Sequence, residues 1–192
     1  MRKTLLPALL ALLLAAPLAS AARAATLAGV TLPDKADING QNPQGLVLNG
    51  LGLRTKLFIK VYVGGLYLPQ KEKSAQKVMA ADAARQMLLS FIYDVSKSQM
   101  CDAWDEGLEA NTPNASAEVK KNFKTLCTWM DGVGKGQKLV LTYLPAEGTR
   151  VEVGGKAKGT LPGKPTADAI LATWIGANPA PGKDFKNAVL GQ

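Results

Sequence analysis

The chain has 192 residues, with 23 Lys and Arg against 15 Asp and Glu, a formal charge of +8 at neutral pH, and no histidine. The missing histidine excludes Ser-His-Asp triads, Cys-His pairs and the usual zinc sites, so no metal or cofactor is expected. The lysines are dispersed and only 6% of residues are aromatic, which argues against a nucleic-acid partner. Affinity for acidic ligands stays open.

Arg2 and Lys3 precede an apolar run, Leu5–Ala19, that is broken by Pro7 and Pro17 and followed by small residues. This is the pattern of a secretory signal peptide, and the run is too short and Pro-broken for a membrane span. Residues 1–24 are therefore expected to be a leader and residues 25–192 a single exported domain, periplasmic and without an integral membrane segment. In an oxidising compartment Cys101 and Cys127, each on the apolar flank of an expected helix, can either bridge or remain two buried thiols.

After the leader, Ala25–Gln44 contains Pro33 and Pro43 among turn formers and suggests an extended entry or edge strand. Leu46–Leu68 reads as one long strand, with Gly50, Gly52 or the Gly64-Gly65 pair marking bends or bulges. Its odd positions from Leu51 to Val63 are apolar or Thr, whereas Arg54, Lys56, Phe58, Lys60 and Tyr62 share the other face. Ser74 can cap a short helix reaching about Ala84, and Gln86–Tyr93 is an apolar run of the length of a strand buried on both faces. A helix opening at Ser96 or Ser98 carries Met100, Trp104 and Leu108 on one stripe. Its Asp102, Asp105, Glu106 and Glu109 read as a solvated face.

Thr112-Pro113 looks like the start of the next helix, which buries Val119, Phe123, Leu126, Cys127 and Met130 and stops at Asp131-Gly132. Strands at Lys138–Tyr143, Thr149–Val153 and Lys156–Leu161 form a meander. A helix from Pro165-Thr166 to Gly176 and another over Lys183–Leu190 close the chain. This order predicts an α+β fold with a mainly antiparallel sheet.

The GLGLR at Gly50–Arg54, followed by KVYVGGLYL at Lys60–Leu68, resembles the paired motif of the chalcone isomerase-like superfamily. DGVGKG, LTYLPAEGTRVEVGG and a late ATWIG helix agree with it in order. The resemblance implies an open-faced, mainly antiparallel sheet with helices packed on one side. It also implies one of two functions: closure of chalcone rings, or non-catalytic binding of a fatty acid.

Arg54 matches the family's cleft arginine, whose charged fork suits a carboxylate or a developing oxyanion. Tyr62 falls where the plant cyclases carry a threonine, and where a tyrosine fits the fatty-acid-binding members. The expected function is therefore binding of a small, partly apolar anion by Arg54 and Tyr62, with Lys60 a lesser contact. The alternative is an isomerase, an intramolecular lyase in which Arg54 and Tyr62 stabilise an oxyanion. Eight residues separate the two, about 26 Å along a straight strand, so they share one anion only if the segment bends or the two side chains reach across neighbouring strands.

Overall fold

The computed structural model describes residues 24–38 and 45–192. Of the expected leader, residues 1–24, all but Ala24 lie outside them. Two short strands, β1 (Ala24–Leu27) and β2 (Val30–Pro33), form a separate hairpin. A seven-stranded sheet follows in chain order: β3 (Lys35–Ala36), β4 (Leu46–Lys56), β5 (Ile59–Leu68), β6 (Arg85–Phe91), β7 (Lys138–Leu144), β8 (Gly148–Val153) and β9 (Lys156–Leu161). Every neighbouring pair is antiparallel. The helices are α1 (Ala75–Ala80), α2 (Lys97–Asn111), α3 (Ala117–Trp129), α4 (Lys164–Ile175) and α5 (Lys183–Val189).

The helices cover one face of the sheet. The residues of α4 from Ala169 to Ile175 are all buried, so this helix forms the centre of the layer between the sheet and α2. Trp104 meets Phe123 and Trp174 edge-on, with ring centroids 6.2 and 5.3 Å away. Cys101 and Cys127 join α2 to α3 through a disulfide, with Cα atoms 5.1 Å apart. The opposite face is partly covered by the β1–β2 hairpin, which sets Leu32 against Leu48, Val63 and Tyr67. The Tyr67 hydroxyl donates to the Pro33 carbonyl at 2.9 Å. No helix among the described residues is long and apolar enough to cross a membrane, a statement that does not address β-barrels.

Several expectations need correction, beginning with α1, which ends at Ala80 and not near Ala84. The entry segment supplies a hairpin and a two-residue strand in place of one edge strand. The start of α3 is Ser116, whose Oγ accepts from the Val119 amide, while Thr112 caps the end of α2. One correction matters most: Leu46–Leu68 is two strands, turned tightly at Leu57 and Phe58. Both residues have positive φ, +47° and +70°, where tight hairpins favour Asn and Gly; each costs of order 1 kcal/mol.

The turn is hidden by a compensation. In a two-residue hairpin, directly opposed residues differ in parity, as Lys56 opposite Ile59 and Thr55 opposite Lys60 do. A one-residue bulge at Val61 then brings even residues opposite even ones, Arg54 to Tyr62 and Gly52 to Gly64. The alternation therefore runs unbroken through the turn and imitates one long strand.

A second bulge at Asn49 fixes the helix-side approach of β4. The Asn49 amide donates to the carbonyls of Val189 at 2.8 Å and Glu72 at 3.0 Å, tying the end of α5 to the strand. Gly52 and Gly64 together seat the Phe185 ring: a Cβ on either would lie within 2.7 Å of it. These glycines permit close approach of a helix, whereas the sequence had suggested bends or bulges there.

Candidate functional site

Because β4 and β5 are a hairpin, the eight-residue spacing becomes a direct cross-strand pair. Arg54 stands opposite Tyr62, and opposed residues in an antiparallel pair project to the same face. That face is the helix side. The Tyr62 ring packs against Phe91 at 5.4 Å and edge-on to Phe185 at 5.9 Å, and only 8% of the residue is exposed. Trp174 of α4 donates its Nε1–H to the Tyr62 hydroxyl at 3.0 Å. Arg54, half-buried, donates from Nη1 to the Ala180 carbonyl at 2.6 Å, in the segment joining α4 to α5.

Burial pushes the Tyr62 phenol above its ordinary range. The Arg54 charge and the hydrogen bond from Trp174 act in the opposite direction and do not reverse it. Tyr62 is therefore a neutral phenol at physiological pH, a hydrogen-bond donor and not a base. Its oxygen already receives the Trp174 N–H, and its proton has no acceptor among the described residues. Arg54 and Tyr62 thus present two donors side by side, a fit for one carboxylate or one oxyanion.

Lys60 stands apart from this pair. It opposes Thr55 at the exposed end of β5, while Val61 and Tyr62 both pack against the helix-side core. The sequence brought forward Arg54 and Tyr62 but missed Trp174, Phe185 and the Ala180 carbonyl. All three come from the last quarter of the chain, and local patterning identifies Trp174 and Phe185 only as apolar helix positions.

A second polar cluster also escaped the sequence. Arg85, 4% exposed, donates to Asp168 at 2.5 Å, and Lys164 donates to the same carboxylate at 2.6 Å. The Arg85 guanidinium lies over the Tyr143 ring at 4.7 Å, and the Tyr143 hydroxyl donates to Asp82 at 2.6 Å. The gap beside it, lined by Arg85, Met87, Thr149, Leu171 and Trp174 among others, amounts to about 20 Å³, room for one water. Larger open clefts of about 250 and 300 Å³ lie along α1 and on the outer sheet face between Gln86, Thr142 and Arg150. Asp102, Asp105, Glu106 and Glu109 are exposed along α2, and no group of acidic or thiol side chains among the described residues could hold a metal ion.

Three of the four tyrosines titrate above their ordinary value, with Tyr67 and Tyr143 raised to about 12 by burial first and by nearby carboxylates second. A phenol whose folded value is raised contributes stability below the unfolded value, near 10, and loses it as pH climbs towards the folded value. We expect phenolate absorbance to remain incomplete at pH 11 while circular dichroism is still native. Stability should fall between about pH 10 and 12. Full ionisation of all four tyrosines by pH 11 in the folded protein would contradict this.

The fold is thus an antiparallel seven-stranded sheet with helices on one face, and Arg54 and Tyr62 pair where its two longest strands meet. A family model described as chalcone isomerase-like matches residues 24–191, and the chain belongs to that family. Among solved structures it is similar to a fatty-acid-binding protein of Arabidopsis thaliana, with a TM-score of 0.68 and 18% identity over 88% of this chain and 96% of that one. That likeness carries the fold. No curated protein matches the sequence.

Proposed function

We propose that this protein is a non-catalytic binder of a small, partly apolar anion, a fatty acid being the natural candidate, and that it works as an exported, periplasmic protein. The observation that carries the reading is the cross-strand pairing of Arg54 with the buried Tyr62 phenol, whose oxygen receives the Trp174 N–H. The fatty-acid-binding function in the name of the Arabidopsis structure supports it, and the Cys101–Cys127 bridge supports the oxidising compartment. The carboxylate would displace the Ala180 carbonyl from Arg54 and accept from Tyr62. A charged acceptor makes the stronger bond, so the exchange is favourable.

The tail needs space that the closed core lacks. Apolar ligand pockets run to several hundred Å³, against about 20 Å³ beside Trp174. Phe185 is the element placed to yield, because its ring fills the seat between Gly52 and Gly64 next to Tyr62. Binding on this reading is an opening of α5 away from the sheet.

Native mass spectrometry of the purified protein should detect a bound acidic lipid. Titration with a fluorescent fatty acid should show at least about a tenfold loss of affinity in Arg54→Ala and a smaller loss in Tyr62→Phe, as hydrogen bonds to charged groups imply. Absence of bound lipid, together with unchanged affinity in Arg54→Ala, would sink the proposal. Bleaching of a chalcone's visible absorbance faster than in buffer would replace it with the isomerase.

A further inference from the structure

Only four large hydrophobic side chains are exposed among the described residues, and all four lie at one end of the sheet. Three are consecutive at the β4–β5 turn: Leu57 at 83%, Phe58 at 100% and Ile59 at 43% exposed. The fourth, Tyr93, is 50% exposed and follows β6, where the amides of Ile92 and Tyr93 both donate to the Val61 carbonyl beside the turn. Lys56 and Lys60 flank the turn, both exposed. Lys135 stands near Tyr93, its amide bound to Asp94 at 2.6 Å; Asp94 is the acidic residue adjacent to this group.

This turn contradicts what a monomer in water would favour. Both central residues adopt positive φ, where Asn-Gly would be relaxed, and both present bare apolar side chains to solvent. The conformation serves no packing within the fold. It does hold two adjacent apolar side chains at the outermost point of a rigid two-stranded ribbon, with cations immediately behind them.

We propose that the β4–β5 tip docks the protein reversibly on an anionic lipid surface, with Leu57, Phe58 and Ile59 entering the boundary between headgroups and acyl chains. Lys56 and Lys60 then meet acidic headgroups, and Tyr93 lies at the interfacial level that tyrosine favours. The shape selects a bilayer over a protein partner. A protein interface needs roughly 800 Å² per side, whereas this is a narrow finger of three apolar residues flanked by two lysines. One short apolar insertion plus a few cations is the combination of two weak signals that gives reversible attachment. Docking does not depend on the ligand reading, since none of these residues belongs to the Arg54–Tyr62 pair.

The test uses Phe58→Trp as a reporter in the full chain, because Trp104 and Trp174 are buried and Trp129 is half-buried. With vesicles of phosphatidylglycerol and phosphatidylcholine, its emission should shift to the blue and be quenched by brominated acyl chains. Pure phosphatidylcholine should give a weaker response. Partitioning of the native tip, followed by flotation, should fall at least about tenfold in Leu57→Asn/Phe58→Gly and several-fold in Lys56→Gln/Lys60→Gln. The Asn-Gly pair relaxes the turn, so its melting temperature should be no lower, which separates lost docking from lost folding. Unshifted emission from the Phe58→Trp reporter, or flotation of the Asn-Gly variant within twofold of the native chain, overturns the proposal. So does tip-dependent capture of a protein without vesicle binding, which would assign the finger to that partner.

Discussion

Asp168→Ala should destabilise the protein by about 3 kcal/mol, because it removes the only carboxylate bonded to the Arg85 guanidinium among the described residues while Arg85 stays 4% exposed. Breaking a buried pair from one side leaves an uncompensated charge, with typical losses of about 3–5 kcal/mol. The lower end applies because Asp168 and Lys164 each retain about a quarter of their side-chain exposure, so water can reach what remains. Asp168→Asn keeps an oxygen facing Arg85 and should cost distinctly less. Urea denaturation of the two variants measures the difference. A loss below about 1 kcal/mol in Asp168→Ala would mean that the Ala81 carbonyl and the Tyr143 ring already satisfy the cation.

Removing the bridge between α2 and α3 has an effect of similar size through the other side of the equilibrium. The two cysteines are 26 positions apart, and the chain-entropy account assigns such a loop roughly 3.5 kcal/mol. Cys101→Ser/Cys127→Ser should therefore lower the melting temperature by about 7–14 °C at this chain length. Reductant should lower the native protein to the same value and leave the double variant unmoved. If reductant has no effect on the native melting curve, the bridge contributes nothing to stability.

Where a helix has a continuous apolar stripe, the sequence located it well: Met100, Trp104 and Leu108 on α2, and Val119, Phe123 and Leu126 on α3, pack where their spacing says. The strands of the β7–β9 meander were equally legible, because Gly and Pro punctuate them. The start of α3 was misplaced because Pro113 lies in a turn closed by the Ala115 amide on the Thr112 carbonyl, with Ser116 the working cap. The β4–β5 turn was invisible for a chemical reason, since Leu57 and Phe58 carry none of the residue types that mark a hairpin. Half of the candidate site was legible as Arg54 and Tyr62. The remainder, Trp174 and the Ala180 carbonyl, depends on how α4 and the segment after it return to the sheet, and no local pattern encodes that.

The bulge at Val61 makes the spacing of the two motifs elastic in one direction. Val61 is a spare residue between the turn and Tyr62, so a chain shorter by one there can straighten its ladder and still set Arg54 against Tyr62. The same deletion at Thr55 or Lys56 has no bulge residue beside it to absorb the change, and keeps the pair only if the turn itself moves by one residue. A relative that differs by a single gap on the β5 side of the turn can therefore keep the same donor pair, even where a residue-by-residue comparison counts the second motif as out of step.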